Sequence, residues 1–406
     1  MFPPYPYRAK EFAFIHAGGL FHLFYMRHDP SALDDDSSDV DVGHAVSQNL
    51  TDWAQLDPVL HVRPDNWDNW HVWAPTIICQ KDTFYMYYTG VTRVMTFRAY
   101  QRIGLATSTD LVHWSRYDAP VFDGNRVPWA FADSSQDAGC QFRDPFVMVD
   151  PGSPGRWLMY YVTIPRDAID QLITGVGFNE TGMSPWHDLM PLWNTDAAHY
   201  QGFIESPVLF PHDARWYLFF TTKATHTIRY QYANSPTADS SGWVGTYRLF
   251  DDDPTTDDWF APEFLKLGEH EYFAAVNSGN RGIEIREMEW SGVATFSLVS
   301  PKVEAVAVAE GTNKEEGTSI ETLRDGARGG LKFRVMLPRP MRAEIGIYDM
   351  MGRRVRVLNR GALPGGETIL FWDRKNGDER PVVSGVYFAR LETPLGSRSI
   401  RAHVLR

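Results

Sequence analysis

Cys140-Gln141-Phe142-Arg143-Asp144-Pro145-Phe146-Val147-Met148 places a charged pair and a proline at the head of a run of strand-forming residues. Proline fits the first position of a strand, where no ladder donor is needed. The same design recurs about sixty residues on as Glu205-Ser206-Pro207-Val208-Leu209-Phe210. Upstream it is Trp73-Ala74-Pro75-Thr76-Ile77-Ile78, and downstream Phe260-Ala261-Pro262-Glu263-Phe264. These stretches read as equivalent strand mouths facing one central site, with Asp144 and Glu205 as its working carboxylates.

Working outward, each mouth is followed by an aromatic strand: Phe21–Tyr25, Phe84–Tyr88, Trp157–Tyr161, Trp216–Phe220 and Glu271–Val276. Their starts, at 21, 84, 157, 216 and 272, are separated by 63, 73, 59 and 56 residues. A second marker runs from Gly43 through Ser47-Gln48-Asn49-Leu50 to Trp53, and again from Gly104 through Ser108-Thr109-Asp110-Leu111 to Trp114. It predicts a strand, a Ser/Asx turn and a tryptophan that caps the next sheet. Weaker copies occupy Gly175–Trp186 and Ile228–Trp243. Five repeats of short strands, without long helical periodicity, predict radial repetition closed on itself. The expected fold is all-β, a five-bladed β-propeller over residues 1–300.

Residues 301–330 lose the aromatics and read as a linker. Short strands resume over 331–406, separated by turns such as Pro364-Gly365-Gly366 and Asn376-Gly377-Asp378, and predict a small β-sandwich. That segment holds 15 Lys+Arg against 7 Asp+Glu, whereas the remainder holds 24 against 44. A field of that negative sign repels phosphate backbones, so the large domain suits neutral partners and not nucleic acid. Cys79 and Cys140 are too few for a disulfide framework or a cysteine zinc cluster, and they allow one bridge at most. No apolar run approaches the roughly 18 residues a membrane helix needs. The N-terminus lacks the basic and apolar regions of a signal peptide, which leaves a truncated start or an intracellular protein as the expectation.

Residues 1–300 resemble the five-bladed propeller superfamily of glycoside hydrolase families 32, 43 and 68. The resemblance is carried by Phe142-Arg143-Asp144-Pro145, Glu205-Ser206-Pro207, the two Ser-x-(Asn/Asp)-Leu-x-x-Trp repeats and Phe21–Tyr25. It implies three converging carboxylates: a blade I nucleophile or general base, a blade III aspartate that supports the transition state, and a blade IV glutamate that is the general acid. Asp144 and Glu205 fill the last two places. Glu11 fills the first, one methylene longer than the family's aspartate and without its following proline. A displacement of ~1 Å in such a group can cost about 10²-fold in rate. Residues 331–406 resemble the FlgD-type Ig-like domain, through Leu337-Pro338, Ile347–Val355, Phe371-Trp372-Asp373 and Ser384–Phe388. That likeness implies an extracellular or cell-surface protein engaging secretion or surface machinery through its tail.

Glycoside cleavage needs one carboxylic acid at the leaving oxygen and one carboxylate on the opposite face. Phe203-Ile204 would desolvate Glu205 and help it hold a proton, whereas Arg143 keeps Asp144 ionised. Trp70, His71 and Trp73 at the blade II mouth, Arg143, and Glu263 at the blade V mouth are the candidate substrate contacts, and His16 and His226 lie near plausible rims. No cofactor is expected. No histidine pair has metal-ligand spacing, and although some related propellers carry a central calcium ion, nothing here specifies one. The acidic run Leu33–Asp41 lacks the glycine and terminal glutamate of an EF-hand and reads as a solvated insertion. The expected activity is hydrolysis of furanosyl or pentosyl linkages in oligo- or polysaccharides, such as arabinosides, xylosides or fructosides. The alternative is a non-catalytic carbohydrate-binding propeller.

Overall fold

A computed structural model describes residues 2, 6–31, 38–95, 98–132, 140–192, 204–222, 227–249, 259–277, 279, 282–301, 318–323, 330–349, 354–382 and 385–404. His226, Phe203 and Leu33–Ser37 of the acidic run lie outside them. The chain forms two compact units, Met1–Ala305 and Val306–Arg406.

The first unit contains five antiparallel four-stranded sheets in sequence order, spanning residues 8–61, 71–116, 142–192, 204–248 and 259–299. We number these sheets as blades I to V. Every expected aromatic strand is the second strand of its blade. The first strands, Arg8–Ala17, His71–Gln80, Phe142–Val149, Ile204–His212 and Trp259–Leu267, touch one another in a closed cycle. The fold is therefore a five-bladed propeller. Closure has two visible causes. Phe2 exchanges backbone hydrogen bonds with Ile283 of blade V at 2.8 and 3.0 Å. A single apolar layer also joins Phe12, Phe21 and Tyr25 of blade I to Tyr272, Ala274 and Val276 of blade V. Each other pair of neighbouring blades shares a layer of the same kind. Burial between blades is thus what closes the ring, since the hydrophobic gain grows with the apolar area covered.

The repeated sequence markers have physical counterparts. Gly43, Gly104 and Gly175 on third strands pair directly with Tyr25, Tyr88 and Tyr161 on second strands. A Cβ on Gly104 or Gly175 would meet the tyrosine Cζ at 2.4 Å, so the ring lies flat across the glycine. The Ser/Asx turns form as expected. Ser108 Oγ accepts from the N–H groups of Asp110 and Leu111, while Asp110 Oδ1 accepts from those of Val112 and His113. The tryptophan after each turn packs against the preceding blade, not the next one. Trp114 of blade II meets Phe24 of blade I at 5.8 Å, and Trp186 of blade III meets Tyr87 of blade II at 5.7 Å. The rings it meets project from second strands of that preceding sheet, which decides the direction.

The mouth prolines depart from expectation as well. They sit inside the first strands and not at their starts, on a β-bulge that interrupts the ladder in blades II to V. Proline's missing N–H costs nothing there. The preceding residue is left-handed in all four: Ala74 (φ 45°), Asp144 (54°), Ser206 (51°) and Ala261 (52°). Each such non-glycine residue stores about 1–3 kcal/mol of strain. Blade I has the bulge, at Lys10-Glu11, without the proline.

In the second unit, a three-stranded sheet (Ser319–Leu323, Leu331–Leu337, Gly366–Trp372) and a four-stranded sheet (Arg354–Leu363, Met341–Asp349, Gly385–Thr393, Gly396–Val404) share one core. Trp372, Phe333 and Val335 face Ile345, Ile347 and Leu391 across it. This is a β-sandwich. Ser319–Leu323 lies within the stretch read as linker, yet alternation around the buried Ile320 makes it an edge strand. Cys79 is exposed and Cys140 buried, and the two do not form a disulfide with each other. Among the described residues no helix is long and apolar enough to cross a membrane.

Candidate active site

The five bulges meet at the propeller centre around a small pocket that opens to solvent. Its lining includes Glu11, Asp144, Ser206 and Glu263, with Pro75, Pro145, Pro207 and Pro262 between them. Backbone geometry aims these groups. The bulge breaks the two-residue alternation of the strand, and the left-handed residue turns consecutive side chains toward the axis. Thr89 Oγ1 of blade II accepts the Asp144 N–H at 3.1 Å, and Thr221 Oγ1 of blade IV accepts the Ala261 N–H at 2.9 Å. These two strained residues are thus tied to the blade before them.

Two bridges gather the carboxylates. Ser206 donates its Oγ–H to Glu11 Oε1 at 2.9 Å and its backbone N–H to Asp144 Oδ2 at 3.0 Å. Arg143 donates from Nη2 to Glu205 Oε1 at 2.8 Å and holds Nε 3.6 Å from Asp144 Oδ2. Its Nη1 also donates to Gln101 Oε1 at 3.3 Å and to Gln141 Oε1. The Arg143 side chain is 8% exposed and that of Asp144 3%, against 25% for Glu205. Burial opposes the Arg143 charge, but Glu205 and Asp144 outweigh it and hold the guanidinium above its ordinary proton affinity.

Glu11 is raised well above the usual carboxylate range, first by burial and then by the charges of Asp144 and Glu205. The Ser206 hydrogen bond and Arg143 act the other way and do not cancel the rise. Glu263 is also raised well above that range, by burial, with one opposing hydrogen bond from the Phe264 N–H. The charged cluster and the solitary Glu263 share a pocket but not an electrostatic coupling.

Of the residues singled out from sequence, Glu11, Asp144, Glu205 and Arg143 form one connected cluster, and Glu263 joins their pocket. Arg143 is buried, and its donors go to protein acceptors that bridge blades II, III and IV. Trp70, His71 and Trp73 build a separate stack at the blade II mouth, with ring centroids 4.6 and 5.1 Å apart. His71 is 3% exposed and holds the Ser38 carbonyl at 3.1 Å, so it supports the two indoles from between them and offers no open face. His16 packs on Phe21 at 4.8 Å. Sequence reasoning missed Ser206 as a bridge, although it shares the pre-proline position with Asp144. Gln101 lies on a strand of blade II and carries no local signal of its role. Among the described residues no group of three or more histidine, cysteine or acidic side chains is placed to hold a metal ion.

Residues 12–247 match the glycosyl hydrolases family 32 N-terminal domain. The chain belongs to this family. The match contains Asp144 and Glu205 and begins one residue after Glu11, whose place in the site therefore rests on the geometry above. A 6(G)-fructosyltransferase of Asparagus officinalis is 38% identical over 108 residues, covering 25% of this chain and 16% of that protein. This chain thus aligns with about a sixth of the length of that relative. The propeller fold is shared with a GH43_1 enzyme from Xanthomonas citri solved with xylose (TM-score 0.54, 16% identity, 74% of this chain and 94% of that one). It is shared equally with an α-L-arabinofuranosidase of Clostridium thermocellum (TM-score 0.52, 16% identity, 72% and 94%).

Proposed function

We propose that the protein is a glycosidase that hydrolyses furanosyl or pentosyl linkages, such as arabinosides, xylosides or fructosides, at the propeller centre. One observation carries this reading: Ser206 and Arg143 gather the carboxylates of Glu11, Asp144 and Glu205 into a single cluster beside a pocket. Glu205 is the general acid, Asp144 stabilises the positive charge of the oxocarbenium-like transition state, and Glu11 is the nucleophile or base. The proton logic follows from the coupling. Burial and the charges of Asp144 and Glu205 push the Glu11 carboxyl above the usual range, so its titration belongs to the cluster, not to one residue. Trp73 offers an indole face for a sugar ring at the blade II mouth, whereas Trp70 stacks on His71 with Arg93 over its ring.

The family membership and the two fold relatives, whose own descriptions name xylose and arabinofuranoside chemistry, support the substrate class. A non-catalytic sugar-binding propeller would have no use for three carboxylates gathered into one coupled cluster. We also assign the sandwich to the FlgD-type Ig-like class, which would place the protein outside the cell or on its surface. Fractionation of the expressing cells tests that assignment, which fails if the protein stays with the cytosol.

The test of the activity is hydrolysis of aryl α-L-arabinofuranosides, β-D-xylosides and fructosides by the wild type beside Glu205→Gln. The expected loss is about 10²–10⁴-fold, the usual contribution of a positioned general acid. Turnover that survives the substitution removes Glu205 from that role. Sugar binding without any wild-type turnover supports the binding module instead.

A further inference from the structure

All five first strands share the bulge, so one residue in each occupies the position just after it: Phe12, Thr76, Phe146, Val208 and Glu263. Four of these carry no ionisable group. The fifth places a carboxyl in the wall of the central pocket. Its one hydrogen bond comes from the Phe264 N–H, and among the described residues no cation pairs with it. The charged groups on the strands packed around it are engaged elsewhere. Glu11 is bound by Ser206, Lys10 by Asp39 and Glu205 by Arg143. His212 and Lys266 both go to Glu271, and His270 goes to Glu287. Arg215 lies over Tyr232, and neither it nor Arg229 contributes to the environment that sets the Glu263 proton.

Glu263 is half-buried with no counter-charge beside it among the described residues, and desolvation pushes its carboxyl above the usual range; in the protonated form a carboxyl has one O–H donor and spare acceptor capacity. A carboxyl with hydrogen-bonding capacity to spare, set in the wall of a central pocket, is placed to meet a ligand there. We propose that Glu263 is the residue that selects the sugar, its carboxyl donating to one hydroxyl of the bound ring and accepting from a neighbouring hydroxyl. This rests on the carbohydrate reading of the pocket and deepens it. The class selected is a neutral, vicinally hydroxylated pentose or fructose unit. An analogue lacking one of the two hydroxyls leaves the carboxyl unpaired and is rejected, as sites built around a substrate hydroxyl do.

The experiment compares wild type, Glu263→Ala and Glu263→Gln, reading KM and kcat on the aryl glycosides and calorimetric binding of arabinose, xylose and fructose. Removing the carboxyl should weaken binding of the preferred sugar and raise KM by about 10–100-fold, with a smaller fall in kcat, because a lost hydrogen bond to a buried group costs that much. Glutamine keeps one donor and one acceptor, so Glu263→Gln should restore most of the affinity. It should also abolish the rise in KM as pH climbs through the titration of Glu263. Equal affinity for sugar in wild type and Glu263→Ala overturns the proposal, as does a collapse of kcat at unchanged KM. The calorimetric arm separates the two readings. Sugar binding that depends on Glu263 supports the selector role even if no glycoside is cleaved, whereas a wild type that binds none of the three sugars overturns it.

Discussion

Replacing Arg143 with methionine tests whether charge, and not shape, holds the carboxylate cluster together. The guanidinium stands 2.8 Å from the Glu205 carboxylate and 3.6 Å from that of Asp144. At an effective dielectric constant near 20, those separations correspond to gross attractions of about 6 and about 5 kcal/mol. Most of that is offset by the desolvation of a cation only 8% exposed. Breaking such a pair still leaves carboxylates buried without a partner, and the net loss is about 3–5 kcal/mol. For a unit the size of this propeller, that is a fall in melting temperature of roughly 5–15 °C. The sign with pH follows from linkage. Without Arg143 the folded state favours protonated carboxylates, so its penalty is full at pH 7–8 and shrinks as pH falls toward the unfolded carboxylate range near 4. Scanning calorimetry of wild type and Arg143→Met at pH 5, 6, 7 and 8 measures the gap. A gap under about 2 °C at pH 7, or one that stays constant from pH 5 to 8, refutes the electrostatic account and leaves Arg143 a packing residue.

Three further outcomes follow from the same geometry. Glu11 holds its proton more tightly folded than unfolded, so the stability it confers is complete below the unfolded carboxylate pKa and is lost as pH rises through the folded one. Glu11→Gln should therefore melt above wild type at pH 8 and level with it at pH 4, and equal melting at both values would count against the shift. Ser206→Ala removes the hydrogen bond that lowers the Glu11 pKa, so the acid limb of kcat/KM should move to higher pH. A stationary limb would detach Ser206 from Glu11. Gly104→Ala sets a methyl against the Tyr88 ring at 2.4 Å and should cost about 1–3 kcal/mol, read as a lower urea midpoint.

The fold was legible because its repeat is written in side chains with one job each. An aromatic second strand forms in all five blades, a glycine beneath its tyrosine in the first three, and the Ser/Asx turn in the two where its marker is clearest. What stayed hidden depends on direction. Nothing local tells Trp114 that its partner Phe24 lies on the preceding blade, because both faces of a blade are apolar. The edge strand Ser319–Leu323 was obscured by the polar residues around it, as among its described side chains only Ile320 reaches the core. Ser206 stood in plain view between a glutamate and a proline, but its bridging role requires two blades to meet.

The bulge explains why the site draws on so irregular a set of positions. In a regular strand, alternate residues face the axis, and five equivalent mouths would present five equivalent positions. Here Glu205 precedes the bulge, Asp144 and Glu11 occupy its two residues, and Glu263 follows it. Because the bulge spreads the inward face over four consecutive positions, each blade can supply its carboxyl at a different offset. Blade I illustrates the latitude. It lacks the proline and places Lys10 where blade III has Asp144, yet the next residue, Glu11, still reaches Ser206. Lys10 meanwhile turns to Asp39 at 2.6 Å and keeps its charge out of the cluster. A glutamate one position along, with its extra methylene, can thus take the place that a shorter aspartate would hold before a proline. Supplying the aspartate-proline pair by a Lys10→Asp, Glu11→Pro double substitution gives a direct check. If the offset argument holds, the doubly substituted protein keeps hydrolytic activity within about tenfold of wild type, whereas Glu11→Ala alone loses far more.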